Sequence, residues 1–196
     1  MKLIGITGGV GAGKSEIISY LESNYNSRIE YADKVAHMLE EPGQVCFDKL
    51  VKLLGKEILK DGKIDNAAMA KVMFSDDTLV DKVNDIVHPA VKDYFLKEIK
   101  AERRKKKIDY FFIEAALLIE CGYEKIVDEL WYVYASEETR RKRLKASRSY
   151  SDEKIDAILS NQLSEDEFRK ACAFVIDNDG DIEDAYKQID IRLGGF

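Results

Sequence analysis

The sequence predicts an α/β protein built on a doubly wound parallel sheet. Short apolar runs with strand character alternate along the chain with segments whose apolar residues repeat every three or four positions. A helix that follows each strand returns the chain to the same end of the sheet, so consecutive strands run parallel. The five predicted strands are Lys2–Thr7, Arg28–Tyr31, Asp109–Ala116, Leu130–Tyr134 and Phe174–Ile176.

The predicted helices lie between these strands. The first two are expected at about 14–23 and 33–39. Residues from about 43 to 107 are predicted to be mostly helical, with a break at Pro89, because proline cannot donate a backbone hydrogen bond. Further helices are predicted at about 137–146, 151–160, 164–172 and 181–192.

Composition narrows the class of protein. The 196 residues fit one domain, at roughly 100–200 residues per domain, and the net charge of −6 argues against a general nucleic-acid binder. No apolar run approaches the roughly 20 residues that span a bilayer, and the amino terminus lacks the pattern of a signal peptide. Cys46, Cys121 and Cys172 are scattered and suggest neither a disulfide framework nor a zinc site. We expect a cytoplasmic protein, monomeric or weakly self-associating, without nucleic-acid or membrane partners.

The turn after the first strand carries a phosphate-binding motif. Gly8–Ser15 fits G-x-x-x-x-G-K-[ST] between a predicted strand and a predicted helix, which is the context the motif requires. Backbone N–H groups of such a loop cradle phosphates, while Lys14 reaches the β- and γ-phosphates and Ser15 binds Mg²⁺. The motif predicts a nucleotide-binding P-loop but does not choose between kinase, GTPase and ATPase. The predicted nucleotide-binding residues here are Gly8, Gly11, Ala12, Gly13, Lys14, Ser15 and Glu16.

Carboxylates at two strand ends favour a small kinase, and no N-K-x-D string for guanine is present. Asp33 follows the second strand, where it could accept a proton from the acceptor or cap the next helix; the two roles are compatible and neither is favoured. Glu114 lies in an apolar run near the end of the third strand, where a water-mediated Mg²⁺ contact is favoured over a structural hydrogen bond. Glu120, on the following turn, is a weaker candidate for this role.

A basic segment at 140–148 is a candidate for binding phosphate. For Arg140, Arg143 and Arg148 a phosphate-clamping lid is favoured, since guanidinium groups match pairs of phosphate oxygens. Arg141 and Lys142 are interpreted as part of a solvated helix face.

A further set of short segments follows in order over nearly the whole chain: 5–15, Ala32-Asp33, Asp61-Gly62, 84–89, 117–120, Arg143-Leu144, Gln162 and 175–180. Taken together, these segments resemble the dephospho-CoA kinase family. The resemblance implies a three-layer P-loop kinase fold with a five-stranded parallel sheet, and phosphorylation of the ribose 3′-hydroxyl of dephospho-CoA by ATP with Mg²⁺. The implied parts of this single domain, 1–196, are a core (about 1–34, 108–137 and 166–196), a helical acceptor-binding part (about 35–107) and a lid (about 138–165).

The resemblance also implies roles for single residues. Asp33 matches the general base, and the turn Asn178–Gly180 matches a segment near the adenine, with Asn178 and Gly180 as nucleotide-binding residues. His88, Leu117 and Glu120 join Asp33 as acceptor-binding candidates, although packing at the expected helix break is the favoured role for His88.

Several positions depart from the family pattern, and two other functions remain open. The departures are Tyr31, Asn66, Ala116, Ile119, Ser147, Cys172 and Ala173. A kinase of the same fold with another nucleoside or nucleotide acceptor is one alternative. A non-catalytic ATP-binding regulator is the other, and the intact set of Lys14, Ser15 and Asp33 argues against it.

Overall fold

The computed structural model describes residues 1–194, apart from the side chain of Asp77. The chain divides into two compact units. The core unit comprises residues 1–30 and the residues from 106 onward, and the helical unit comprises residues 31–105. The strands are β1 (Lys2–Thr7), β2 (Ser27–Tyr31), β3 (Leu59–Lys60), β4 (Lys63–Ile64), β5 (Tyr110–Glu114), β6 (Glu129–Tyr134) and β7 (Phe174–Asp177). The α-helices are α1 (Lys14–Asn24), α2 (Ala32–Leu39), α3 (Phe47–Leu54), α4 (Asn66–Met73), α5 (Asp77–Lys105), α6 (Glu137–Arg148), α7 (Asp152–Ser160), α8 (Glu165–Ala171) and α9 (Ile182–Leu193).

A five-stranded parallel sheet in the order β2-β5-β1-β6-β7 forms the centre of the core unit. This confirms the predicted α/β fold with a parallel sheet. The ends of each predicted strand lie within two residues of the ends of the observed strand. The central strand β1 contributes Leu3, Ile4 and Ile6, which are fully buried. Apolar residues occupy both faces of β1 because helices flank the sheet on both sides, as expected for strands of this kind.

The register of β1 places the glycine-rich turn at the carboxyl edge of the sheet. Ile6 lies opposite Glu114 on β5, and Thr7 lies opposite Tyr132 on β6. The loop that follows Thr7 therefore emerges between two neighbouring strands, where parallel α/β sheets bind ligands.

The carboxyl-terminal helix α9 packs against α1 and β7. Tyr20 and Tyr25 both donate hydrogen bonds to the carboxylate of Asp190, and the Tyr20 ring stacks on Tyr186 with centroids 3.9 Å apart. Burial, with the Asp190 hydrogen bond second, raises the pKa of Tyr20 to about 12. Both phenols therefore stay protonated as donors at neutral pH, and they fix α9 to the helix that leaves the loop.

Helices make up most of the helical unit, and α5 packs on α2. The expected break at Pro89 is wrong, because α5 continues through it. One face of α5 is buried at regular four-residue spacing on both sides of the proline, through Val83, Val87, Val91, Phe95 and Ile99. Packing along this whole face outweighs the one backbone hydrogen bond that an exposed proline removes.

A short hairpin interrupts the segment predicted to be mostly helical. Strands β3 and β4 pair antiparallel and are joined by Asp61 and Gly62, which have φ angles of 50° and 78°. Two successive left-handed residues define the tight turn that matches the twist of a hairpin. Among the described residues, no helix has both the length and the apolar character needed to cross a bilayer.

Candidate active site

Side chains hold alternate carbonyl groups of the glycine-rich loop. The Lys14 ammonium donates to the Gly8 carbonyl at 2.7 Å, and Nε of Arg140 donates to the Val10 carbonyl at 2.9 Å. The Ala12 carbonyl accepts from Asn178 Nδ2 at 2.8 Å and from Arg143 Nη1 at 3.3 Å. The predicted loop residues are thus brought together with two of the predicted arginines and with the predicted asparagine.

The Arg140 guanidinium lies close to the loop backbone at Gly9. A Cβ atom built there would lie less than 3.0 Å from the Arg140 guanidinium, which is closer than real Cβ contacts. Arg140 also donates to Gln162, the second residue after α7. Burial lowers the pKa of Arg140, with Tyr132 and Glu137 opposing the shift, yet an arginine keeps its charge in proteins. A fixed positive charge therefore lies directly on the phosphate loop.

Arg143 and Arg148 extend from α6 in different surroundings. Arg143 contacts the loop and also donates to the Asn178 carbonyl at 2.9 Å, so it joins the loop to the turn after β7. Arg148 lies at the exposed end of α6, with its guanidinium 5.9 Å from the centre of the Tyr150 ring. Its hydrogen bond is the largest cause that lowers the pKa of Tyr150. The structure therefore brings Arg140 and Arg143 to the loop, whereas Arg148 contacts Tyr150.

Arg141 is partly exposed on α6 and is paired with surface carboxylates. It forms ion pairs with Glu137 on its own helix and with Asp156 on α7, and Lys145 pairs with Asp152 at 2.7 Å. Glu137 lies at the i,i+4 spacing of a helix, whereas Asp152 and Asp156 belong to α7 and were not indicated by spacing along α6. The pairs fix α6 to α7, which carries the chain toward Gln162.

The predicted Mg²⁺ ligands are oxygen groups near the start of α1 and the end of β5. Ser15 is exposed on the first turn of α1, and Glu114 is the half-buried last residue of β5. A hydroxyl and a carboxylate are the hard oxygen ligands that Mg²⁺ takes, usually with phosphate oxygens and waters completing its shell. The donor set of these residues therefore fits the ion.

The turn after β5 carries two of the predicted acceptor-binding residues. Leu117 and Glu120 are both exposed, while Leu118 between them is fully buried. The Thr7 hydroxyl donates to the Ala116 carbonyl at 3.2 Å, which ties this turn to the end of β1. Anchored in this way, the turn presents Leu117 to solvent, with 45% of its surface exposed.

The turn after β7 has a buried side and an exposed side. Asn178 is 1% exposed, whereas Gly180 is exposed. Asp179 accepts from the Ser136 backbone N–H at 2.8 Å, and hydrogen bonds from Thr139 and Ser136 lower the pKa of its carboxyl. The turn is thereby joined to the start of α6.

Asp33 and His88 belong to the helical unit. Asp33 is exposed in the first turn of α2, the N-cap position is Tyr31, and no side chain caps this helix. The alternative that Asp33 serves as the N-cap is therefore wrong, because the helix begins one residue earlier than expected. His88 is half-buried within the continuous helix α5, so packing at a helix break is also wrong.

This combination of fold and loop defines the class of protein: it is a small P-loop kinase. Residues 2–184 match the family model described as dephospho-CoA kinase. The chain is 35% identical over 190 residues to the dephospho-CoA kinase of Carboxydothermus hydrogenoformans, covering 96% of this chain and 91% of that protein.

Two solved structures extend the comparison. A Thermus thermophilus protein designated TT1252 superposes with a TM-score of 0.81 and 29% identity, covering 98% of this chain and 96% of that one. The dephospho-CoA kinase of Campylobacter jejuni gives a TM-score of 0.72 and 25% identity, with both chains fully covered. The chain belongs to the dephospho-CoA kinase family, and its activity is the ATP-dependent phosphorylation of dephospho-CoA in coenzyme A biosynthesis.

Proposed function

We propose that the chain transfers the γ-phosphoryl group of ATP to the ribose 3′-hydroxyl of dephospho-CoA, giving coenzyme A and ADP. The observation that supports this most directly is the phosphate loop, with two guanidinium groups and one ammonium group lying against its backbone. Positive groups fixed before the reaction stabilise the negative charge that develops on the transferring group. The family match supplies the acceptor.

The nucleotide is held by the loop and by the turn after β7. Backbone N–H groups at 8, 11–13 and the first turn of α1, including Ser15 and Glu16, surround the phosphates in this proposal. Lys14 and the remaining N–H donors of Arg140 and Arg143 bind phosphate oxygens. The exposed part of the 178–180 turn, around Gly180, lies beside the adenine.

Transfer requires one bond to form and one to break. The 3′-oxygen bonds to the γ-phosphorus while the bond between this phosphorus and the β,γ-bridging oxygen breaks, and Asp33 takes the hydroxyl proton. Ser15, and Glu114 through a water, would hold Mg²⁺, which would supply positive charge against the charge on the phosphates. Arg148, at the end of the lid helix, joins the phosphate-binding groups when the acceptor is present.

The acceptor binds to residues outside the loop. We assign this role to a helical part at about 35–107, together with His88, Leu117 and Glu120, and we assign the lid to about 138–165. The exposed Leu117 offers apolar contact, while the exposed carboxylates of Asp33 and Glu120 accept hydrogen bonds from ribose or amide groups.

The proposal also includes a cytoplasmic, monomeric or weakly associating enzyme without a nucleic-acid or membrane partner. The net charge of −6 supports the exclusion of general nucleic-acid binding. Light scattering over a range of protein concentrations tests the oligomeric state.

A 3′-deoxy analogue of dephospho-CoA tests the acceptor position. We expect phosphorylation of dephospho-CoA to a product that comigrates with coenzyme A, and no product from the analogue although it still binds. Phosphorylation of the 3′-deoxy analogue would overturn the assignment to this hydroxyl. Equal turnover with unrelated nucleosides would instead favour a kinase with another acceptor.

A further inference from the structure

The Ala12 carbonyl is held by two side chains from distant parts of the core unit. Asn178 follows β7 and donates at 2.8 Å, and Arg143 lies on α6 and donates at 3.3 Å. Arg143 also donates to the Asn178 backbone carbonyl. The loop, the lid helix and the turn after β7 therefore meet at a single peptide group.

The trans geometry of the Ala12–Gly13 peptide determines where the Gly13 N–H points. The described residues contain no cis peptide, and in a trans peptide the carbonyl of one residue and the N–H of the next point in opposite directions. Holding the Ala12 carbonyl toward Asn178 therefore turns the Gly13 N–H away from Asn178. Carbonyl groups at Gly8 and Val10 are held in the same alternating way, by Lys14 and Arg140.

Asn178 is fixed in the orientation that this role needs. Its side chain is buried, and its backbone N–H donates to the Tyr134 carbonyl at 2.8 Å. A Cβ atom on Gly13, whose φ is 90°, would lie less than 3.0 Å from the Asn178 amide nitrogen. Among the described residues, Oδ1 of Asn178 has no hydrogen-bond partner. Rotating the amide would place this oxygen against the Ala12 carbonyl, acceptor against acceptor, so the donor faces the loop.

We propose that Asn178 is a positioning residue for the phosphate loop, acting through the Ala12–Gly13 peptide instead of reading the adenine base. The inference rests on the proposed function in taking this loop as the ATP site. It assigns recognition of the phosphates, not of the base, to the buried amide. The loop's N–H groups are then oriented before nucleotide arrives, and less ordering is required on binding.

Binding of ADP and of IDP separates the two roles. Hypoxanthine lacks the 6-amino group of adenine, so a residue that reads adenine affects ADP and IDP differently. We expect Asn178→Ser to weaken the binding of ADP and of IDP by about tenfold each, which is the effect of losing one hydrogen bond. The ratio of the two dissociation constants, measured by calorimetry, should stay unchanged. Asn178→Asp keeps the side-chain volume but replaces the donor by an acceptor, and it should weaken both at least as much.

Controls keep the test independent of folding and of the acceptor. Asn24→Ser makes the same substitution at an exposed asparagine at the far end of α1, where the amide donates to the Tyr20 carbonyl, and should leave both affinities unchanged. Melting curves establish that each variant is folded, and if one serine or aspartate variant unfolds, the other carries the test. A loss confined to ADP, or wild-type affinity for both nucleotides in a folded variant, would overturn the positioning role. Turnover of the unaltered protein with dephospho-CoA tests the proposed function separately.

Discussion

At the scale of single residues, Lys14 joins the start and the end of the phosphate loop. Its ammonium group donates to the Gly8 carbonyl in the structure and is the loop's own cation. We expect Lys14→Ala to lower kcat by about 10²-fold or more, because such a group stabilises charge mainly in the transition state. Steady-state ADP release measures this, with Lys142→Ala, an exposed lysine of α6, as the control. If Lys14→Ala turned over as fast as the unaltered chain, the loop would have no role in phosphoryl transfer.

Asp33 tests the chemistry of the acceptor. Asp33 is exposed and does not cap α2, and in the proposed function its carboxylate takes the proton of the acceptor hydroxyl. Asp33→Asn preserves size but cannot accept the proton, so we expect ATP affinity to remain and kcat to fall by about 10²–10⁴-fold. Asp48→Asn is a matched control, because Asp48 is also exposed in the first turn of a helix in the same unit. Transfer that survives in Asp33→Asn would rule out Asp33 as the base.

At the scale of secondary-structure elements, Glu129 connects β6 to both ends of the described chain. It pairs with Lys2 at 2.7 Å and Arg192 at 2.8 Å, and it accepts from the Trp131 indole. Burial raises the pKa of Glu129, but hydrogen bonds from Lys2, Trp131 and Arg192 outweigh it and lower the pKa to about 2. A folded-state pKa below the unfolded value stabilises the fold above about pH 4 and loses this effect as the pH falls toward 2.

We therefore expect Glu129→Gln to lower the free energy of unfolding by about 1–2 kcal/mol at pH 7. The difference from the unaltered chain should shrink as the pH falls from about 4 toward 2, where the native carboxylate is itself protonated. Urea titrations at several pH values measure both effects, with the exposed Glu124→Gln as the control. A pH-independent difference would contradict the assigned pKa.

Helix α5 supplies a prediction about Pro89. Since the helix continues through this exposed residue, alanine there restores a backbone donor and removes a poor helix former. We expect Pro89→Ala to stabilise the chain by about 1–3 kcal/mol, seen as a higher Tm in a thermal melt. Pro42→Ala, in the exposed segment between α2 and α3, should leave Tm nearly unchanged. A lower Tm for Pro89→Ala would show that the proline is needed by the fold.

The same elements show which features the sequence could predict. The phosphate loop was predictable because its residues are contiguous and its chemistry is local. The path of α5 was not, because burial of Val83, Val91 and their neighbours outweighs the local preference of Pro89. The β3–β4 hairpin was not predicted, because two-residue strands are too short to show a periodicity, although Asp61-Gly62 is a recognised turn signal. The predicted and observed ends of α1, α2 and α6–α9 differ by at most two residues, and a shift of one residue at α2 is enough to exclude Asp33 as a cap.

At the scale of the whole molecule, contacts between distant segments define the site. Asn178 and Ala12 are 166 positions apart, and Arg140 and Val10 are 130 apart. No periodicity or spacing relates residues so far apart. The sequence therefore indicated Arg140 as a phosphate ligand and Asn178 as a residue near the adenine, but it did not indicate that both contact the loop backbone. Gln162 was indicated only as part of a family pattern, and its hydrogen bond to Arg140 gives it a place in the site.

The central claim is that this loop serves transfer to dephospho-CoA. The most direct test measures ADP release from ATP·Mg²⁺ with and without dephospho-CoA. We expect release to be slow without the acceptor and strongly stimulated by it. ATP binding without any stimulation by dephospho-CoA would contradict the claim, and would indicate a kinase with another acceptor or a nucleotide-binding regulator.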